Sequence, residues 1–175
     1  MNFPSAILLI AMTLPFCTGC ATEEDQAVAA IEELGGRFYG PNGDRYNEQH
    51  QSLMFYTPQI TDAGLGHLKK IKGLICVNLT RTQITDAGLK HLEGLTNLEF
   101  LFLDNTQITD AGLEHLKGLT RLKRLSLNNT KITDAGLASL DGLTGLTDLH
   151  AAGRQITDTG LQDLKKALPE RNRAK

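Results

Sequence analysis

The amino-acid sequence predicts an α/β solenoid, a fold in which similar short units stack side by side, and three observations support this class. The hexapeptide Ile-Thr-Asp-Ala-Gly-Leu starts at four positions and Ile-Thr-Asp-Thr-Gly-Leu at a fifth: Ile60, Ile84, Ile108, Ile132 and Ile156. Each start lies 24 residues after the one before it. Leucines recur at constant offsets in most of these 24-residue units. A single unit is too small to bury its own apolar side. We therefore expect neighbouring units to stack and share one continuous core.

The first half of each unit predicts a β-strand. In the unit that spans residues 74–97, Val77 and Leu79 alternate with Cys76 and Asn78. A period of two places the first pair on one side of the chain and the second pair on the other, as in a strand that is buried on one face.

The second half of each unit predicts a short α-helix or 3₁₀-helix. Leu89, Leu92 and Leu95 follow one another at intervals of three residues, which puts them on one side of such a helix. Thr85 and Asp86 precede this helix, and either side chain can cap its free N–H groups. The spacing alone does not choose between the two caps.

The chain divides into five segments along its length. Residues 1–19 are interpreted as a signal peptide, 20–26 as a tether, 27–49 as an N-terminal cap, 50–169 as the repeat domain and 170–175 as a tail. The cap prediction depends on Val28, Ile31 and Leu34, which form a helical stripe that ends at Gly35. Such a cap would shield the outer apolar side of the first unit from water.

The N-terminal leader predicts export. Residues 1–19 carry no charged side chain, and the apolar run at 6–16 is too short to span a bilayer but fits the apolar core of a signal peptide. The Gly19-Cys20 pair that follows resembles the lipobox of bacterial lipoproteins, which implies that Cys20 is lipidated and tethers the chain to a membrane. Cys17 and Cys20 also form a C-x-x-C pair, but a redox or zinc role would require a folded scaffold.

Composition and charge narrow the classes of partner. The 175 residues are 41% hydrophobic and 22% charged, which is ordinary for a folded domain. The formal net charge is only −2, so the sequence gives no reason to expect binding to nucleic acid or to an anionic membrane surface.

The repeats resemble the leucine-rich repeat family. The pattern runs from Leu98 through Leu101 and Leu103 to Thr106 and Ile108, with threonine at a position where that family usually has asparagine or cysteine. The hexapeptide half is similar to the cysteine-containing class known from F-box substrate receptors, and to repeat proteins exported by bacteria. The resemblance implies a right-handed arc of about five repeats, with parallel strands on its concave face and short helices on its convex face. It also implies protein binding and no chemistry.

Two sets of polar residues, each repeated every 24 residues and here called columns, could be taken for metal-binding or acid–base sites, but their placement favours neither role. His67, His91 and His115 recur every 24 residues, but packed helices lie about 8–10 Å apart, whereas a zinc–nitrogen bond is about 2 Å long. Another column contains an aspartate at each helix start, where we expect it to cap its own helix: Asp62, Asp86, Asp110, Asp134 and Asp158.

Two further columns contain small residues with expected structural roles. The glycines two residues after these aspartates are expected to let neighbouring helical segments approach closely: Gly64, Gly88, Gly112, Gly136 and Gly160. The threonines after the strands are expected to bond to loop backbone inside the solenoid: Thr82, Thr106 and Thr130.

No catalytic set converges in the predicted fold. Cys76 and His150 share a predicted face but lie three strands apart, about 14 Å, which is too far for a nucleophile and its base. We therefore expect a non-catalytic chain with no cofactor, no metal site and no small-molecule substrate.

A partner-binding site is predicted on the outward face of the central strand. The register fixes Leu101 and Leu103 inward, so Phe100 and Phe102 point outward, next to Arg124. Aromatic rings beside an arginine match the composition of interface hot spots. Three polar neighbours complete the predicted site: Asp104, Asn78 and Ser126. The alternative is that the acidic N-terminal segment covers the rings, or that they are exposed without a partner.

These observations predict an exported, lipid-tethered module that binds another protein. The alternatives are a structural spacer or cap without a specific ligand, and a substrate receptor of the ubiquitin-ligase type, which only the repeat class suggests. Five strands span only about 19 Å across the sheet, so its face is smaller than the roughly 800 Å² that each partner of a standard interface buries. We therefore expect micromolar binding by a single copy, or use of the loop rims as well.

The leader predicts acylation of Cys20 and removal of residues 1–19. When the chain is expressed in a bacterium with a radiolabelled fatty acid, the wild type should incorporate label and Cys20→Ala should not. Equal labelling of the two forms, or an intact Met1 in the mass spectrum of the mature protein, would contradict this prediction.

Overall fold

The computed structural model describes residues 22–40, 51–55, 58–153 and 155–167. In these ranges six strands form one sheet, in which each strand lies beside the next one along the chain. The strands are β1 Gly36–Tyr39, β2 Ser52–Phe55, β3 Cys76–Asn78, β4 Phe100–Phe102, β5 Arg124–Ser126 and β6 Asp148–His150. The α-helices are α1 Glu23–Glu33, α2 Asp86–Leu89, α3 Asp110–Leu113, α4 Asp134–Leu137 and α5 Asp158–Ala167. Three 3₁₀-helices span Gly64–Lys70, Glu114–Leu116 and Ala138–Leu140. None of these helices has the length and apolar character needed to cross a bilayer.

The strands from β2 to β6 are parallel, in the register that the 24-residue period predicts. Val77 pairs with Leu101, and Leu101 pairs with Leu125. All three side chains are 0% exposed, so they form one column inside the stack. The predicted α/β repeat fold with parallel strands is confirmed.

The core lies between this sheet and the row of short helices. Leu89 and Leu92 from the helical half of a repeat are buried with the strand leucines. In the turn after each strand, the hydroxyl of Thr82 donates to the carbonyl of Leu79 at 2.6 Å, and equivalent bonds follow from Thr106 and Thr130. The expected role of these threonines is confirmed, because their hydroxyls satisfy backbone carbonyls at the edge of the core.

The helix before the repeats begins earlier than the sequence predicts. Thr22 accepts the N–H of Asp25 at 3.1 Å, and the carboxylate of Asp25 accepts the N–H of Thr22 at 2.8 Å. This reciprocal capping box starts α1 at Glu23. Residues 23–26, expected to be part of a tether, therefore lie in α1, and Thr22 caps this helix.

Both α1 and β1 pack onto the first repeat. Ile31 of α1 is 0% exposed and Phe38 of β1 is 4% exposed. Glu24 accepts the backbone N–H of Lys72 at 2.8 Å, which ties α1 to the helical side of the stack. Strand β1 runs antiparallel to β2, a pairing that the repeat pattern does not predict. The predicted signal peptide with Cys20, residues 41–50 and the predicted tail lie outside the described residues.

Neighbouring repeats are joined by carboxylates that reach forward to the next helix. Asp62 accepts the backbone N–H of Thr85 at 2.9 Å and its hydroxyl at 2.5 Å. The same two bonds, at 2.6 to 2.8 Å, join Asp86 to Thr109, Asp110 to Thr133 and Asp134 to Thr157. We call this series of hydrogen bonds the Asp–Thr ladder.

The expectation that each aspartate caps its own helix is wrong. At the start of α2 the cap is Thr85, whose hydroxyl oxygen accepts the N–H of Ala87 at 3.3 Å. Thr133 caps α4 in the same way through Ala135 at 3.2 Å. Each of these threonine hydroxyls therefore accepts from its own helix and donates to the preceding repeat.

The glycine column makes room for the Asp–Thr ladder. A Cβ atom added to Gly88 would overlap the carboxylate of Asp62, and the same overlap would occur at Gly112, Gly136 and Gly160. The close approach expected for these glycines is confirmed. At Gly64, the first of the column, the neighbouring atom is instead a methyl group of Leu34, which follows α1.

Removal of one Asp–Thr contact should destabilise the stack of repeats. We expect Asp110→Ala to lower the free energy of unfolding by about 1–3 kcal/mol, because two hydrogen bonds to a charged acceptor are lost between central repeats. Urea melts followed by circular dichroism measure this loss.

The matched control is Asp158→Ala. Asp158 occupies the same column in the last repeat, and no following threonine bonds to it among the described residues. Asp158→Ala should lower the free energy of unfolding by less than Asp110→Ala does, since only a favourable interaction with the N-terminus of α5 is lost. Equal losses from the two substitutions would show that the bond to the next repeat does not contribute.

The Asp–Thr ladder should also weaken in acid. The hydroxyl and backbone N–H of Thr157 lower the pKa of Asp134 below its ordinary value. A carboxyl with a lowered folded-state pKa stabilises the fold above its unfolded pKa, and this contribution disappears as the pH falls through the folded value. Wild type should therefore exceed Asp134→Asn in stability near neutral pH, and the gap should narrow below about pH 4. Urea melts across this range test the trend, and a constant gap would contradict it.

Candidate protein-interaction face

The outward side of the sheet presents two adjacent rows of side chains. We call this surface the strand face, and on strands β2 to β6 it is formed by Ser52, Met54, Cys76, Asn78, Phe100, Phe102, Arg124, Ser126, Asp148 and His150. The segment that contains α1 packs on the helical side of the stack. Residues 22–40 therefore do not cover the centre of the strand face.

Phe100 and Phe102 lie at the centre of the strand face, on β4. Phe100 pairs with Cys76 on one side and Arg124 on the other, as the register predicts. Both phenyl rings are half-buried rather than fully exposed, while Leu101 between them is 0% exposed. Part of each ring therefore remains available to a partner, and part packs on neighbouring side chains.

Arg124 is held by a partner of its own on the strand face. Its Nε donates to Asp148 at 2.6 Å, one strand further along. The other carboxylate oxygen of Asp148 lies 3.1 Å from Nε2 of His150. Arg124, which the sequence predicts to anchor a partner, thus belongs to a cluster with Asp148 and His150. This cluster was not predicted, although Arg124 and Asp148 lie 24 residues apart and therefore occupy equivalent positions on neighbouring strands.

The other polar residues of the predicted site bond mainly to one another. Asp104 accepts the hydroxyl of Ser126 at 2.6 Å and the backbone N–H of Asn128 at 3.0 Å. Ser126 is only 5% exposed, so it offers a partner little surface. Asn78 accepts the backbone N–H of Thr80 at 2.9 Å, which fixes its amide against the turn.

A groove follows the turns at one edge of the strand face. Its lining includes Asn78, Asp104 and Asn128. In these turns the backbone adopts left-handed conformations, with φ of 61° at Arg81 and 56° at Asn105. Asparagine tolerates this conformation better than most side chains, which accounts for its place in the turn.

Cys76 is poorly suited to act as a nucleophile. Burial raises the pKa of its thiol, and a hydrogen bond with Ser52 offsets only part of that effect. A raised pKa keeps the sulfur protonated near neutral pH, and the thiolate is the reactive form. His150 lies on β6, three strands away from Cys76 on β3.

The histidine column on the helical side does not form a cluster. Nδ1 of His115 lies 2.6 Å from a carboxylate oxygen of Glu93. Nδ1 of His91 is buried without a hydrogen-bond partner and lies beside Gly66. Across the described ranges, no three histidine, cysteine, aspartate or glutamate side chains converge in a way that could hold a metal ion.

Charges at the start of the strands are also paired. Glu99 receives hydrogen bonds from Lys123 at 2.6 Å and Arg121 at 3.4 Å. The bond from Lys123 is the main reason that the pKa of Glu99 lies below its ordinary value. Much of the polar surface around Phe100 and Phe102 is therefore already satisfied within the chain.

Solved structures show where this fold recurs. An internalin (inlF) from Listeria monocytogenes is 29% identical, with a TM-score of 0.51, over 60% of this chain and 30% of that chain. The tropomodulin C-terminal domain from Caenorhabditis elegans is 14% identical, with a TM-score of 0.58, over 83% of this chain and 92% of that domain. The actin-binding site 2 of leiomodin-1 is 15% identical, with a TM-score of 0.59, over 87% and 91% of the two chains. At these low identities the last two similarities concern the fold alone.

The sequence comparison agrees with the structural one. Among proteins of curated function, none matches this chain. The chain spans about 30% of the length of the internalin that it resembles. Residues 96–156 match the family model described as leucine rich repeat. These residues carry the same 24-residue period and parallel register as the repeats before them, so the family match and the internalin similarity both support leucine-rich repeats in this chain.

Proposed function

We propose that this chain is a non-catalytic module that binds a protein partner through the strand face, with Phe100 and Phe102 as the main contacts. The observation that carries the proposal is the pair of half-buried rings on the central strand. Aromatic side chains contribute large contact areas at protein interfaces and are enriched among the residues that dominate binding energy.

The surroundings of the two rings support this assignment. Arg124 is bonded to Asp148, and Asp104 is bonded to Ser126 and Asn128, so these polar groups are already satisfied. A partner that covers the rings would gain apolar burial without having to break these bonds. Satisfied polar groups around an apolar centre also match the core and rim of a protein interface.

The strand face is small, which sets the expected affinity. Five strands of the repeat region at about 4.8 Å each span about 19 Å, less than a standard interface needs. A single copy should therefore bind in the micromolar range unless the partner also contacts the turns at Asn105 and Asn129. A spacer without a specific ligand remains the alternative, and the same binding experiment distinguishes the two.

We also propose that the module acts outside the cytoplasm, attached to a membrane by a lipid on Cys20. The support is the uncharged apolar leader followed by Gly19-Cys20. One lipid chain gives only reversible membrane attachment, so stable anchoring would require a second signal. The fatty-acid labelling of Cys20→Ala tests this part of the proposal independently of the strand face.

Replacement of both rings should abolish partner binding. We expect Phe100→Ser combined with Phe102→Ser to lose capture of a protein from the envelope fraction of expressing cells, because the apolar centre of the strand face is removed. The captured protein is identified by mass spectrometry, and its affinity is measured directly on purified components. Since both rings are half-buried, the melting temperature should also fall.

Asp110→Ala is the matched control for that loss of stability. It destabilises the stack but leaves the strand face intact, so it should still bind the partner. If the double phenylalanine variant stays folded and binds normally, the site lies elsewhere. Failure of the wild type to capture any reproducible partner would favour the spacer.

A further inference from the structure

The last described repeat is less deeply buried than the repeats before it. In the last repeat three residues of the core columns are only partly buried: Leu149, Ile156 and Leu161. Their equivalents one repeat earlier are at most 1% exposed: Leu125, Ile132 and Leu137. The Asp–Thr ladder also stops here, because no described residue bonds to Asp158.

The backbone of β6 is open on the same side. Asp148 donates its N–H to Lys123 at 2.9 Å, and the carbonyl of His150 accepts from Leu127 at 2.7 Å. Alternate residues of a parallel strand turn their backbone groups to opposite neighbours. The N–H and C=O of Leu149 therefore point away from β5, toward the free edge, where a further strand can pair with them.

We propose that this end binds a second copy of the chain through antiparallel pairing of two β6 strands, centred on Leu149. In this arrangement the two Leu149 residues lie opposite each other and exchange both of their outward backbone hydrogen bonds. Their side chains lie on the core side of the joined sheet, so each covers the other. The surfaces of Ile156 and Leu161 on the helical side face their counterparts in the second copy.

Charge selects this register over its neighbours. Pairing centred on Leu149 places Asp148 of each copy opposite His150 of the other, which creates two favourable contacts on the strand face. A shift to a centre at Asp148 would place two carboxylates opposite each other, and a centre at His150 would pair two imidazoles. The strand is thus complementary to itself in one antiparallel register.

This inference concerns a different surface from the proposed partner site and does not depend on it. The joined sheet would contain both copies of β1 to β6 and place both pairs of phenylalanine rings on the same side. Self-association should consequently survive the combined Phe100→Ser and Phe102→Ser substitutions. The failure of one proposal therefore leaves the other standing.

The test is sedimentation velocity of the full chain over a concentration series, in one detergent buffer that keeps the leader soluble. Wild type should form a reversible dimer. His150→Asp should weaken it on the order of tenfold, because two like-charge contacts replace two favourable ones. His150→Lys should dimerise at least as strongly as wild type. Asn78→Asp adds the same charge in the same row of the strand face, three strands from the edge, and should leave the dimer unchanged.

A second variant tests the backbone contact. Leu149→Pro removes the N–H that points to the free edge but none of the bonds between β5 and β6, a position where proline is tolerated. It should abolish the dimer while circular dichroism shows a folded chain. A wild type that stays monomeric at every concentration would overturn the proposal. Equal association of His150→Asp and His150→Lys would overturn it as well, as would a folded Leu149→Pro that still dimerises.

Discussion

The structure depends on the hydrogen bonds by which one repeat holds the next. A strand of three residues and a helix of four are too short to be stable alone, since most helical stability in proteins comes from tertiary packing. The leucine columns supply that packing but do not fix one repeat along the axis of the next. The bond from Asp62 to Thr85 and its three successors do so, because each carboxylate is satisfied only when the following helix start is correctly placed.

The strand face follows from the same packing. Because leucines such as Leu101 lie on the core side of their strands, the side chains that alternate with them must point outward. Most of the polar ones then bond across neighbouring strands, as Arg124 does with Asp148 and Ser126 with Asp104. Phe100 and Phe102 have no such polar partner available. Because these two phenyl rings occupy the central strand, the centre of the strand face is apolar.

The period of the sequence predicts much of this fold but not the reach of individual side chains. Constant offsets of leucine predict the parallel strands, their register and the outward direction of Phe100. They do not reveal whether an aspartate at a helix start bonds to its own helix or to Thr85 of the next, since both are close once the repeats stack. Burial of Ser126 depends on the side chain of Asp104 and the nearby Asn128, which alternation cannot show. Strand β1 lies outside the period, so its antiparallel pairing required the structure.

Every contact of the Asp–Thr ladder joins the same two residue types at the same spacing. The number of repeats can therefore change without a change in the contacts between them. A deletion of 24 residues between two equivalent positions would bring Asp62 against Thr109 with the contacts that Thr85 now makes. A duplication would insert a unit that fits both of its neighbours. Recombination between repeats can therefore lengthen or shorten the strand face while the leucine core, the packing of α1 on the first repeat and the glycine clearances stay as they are.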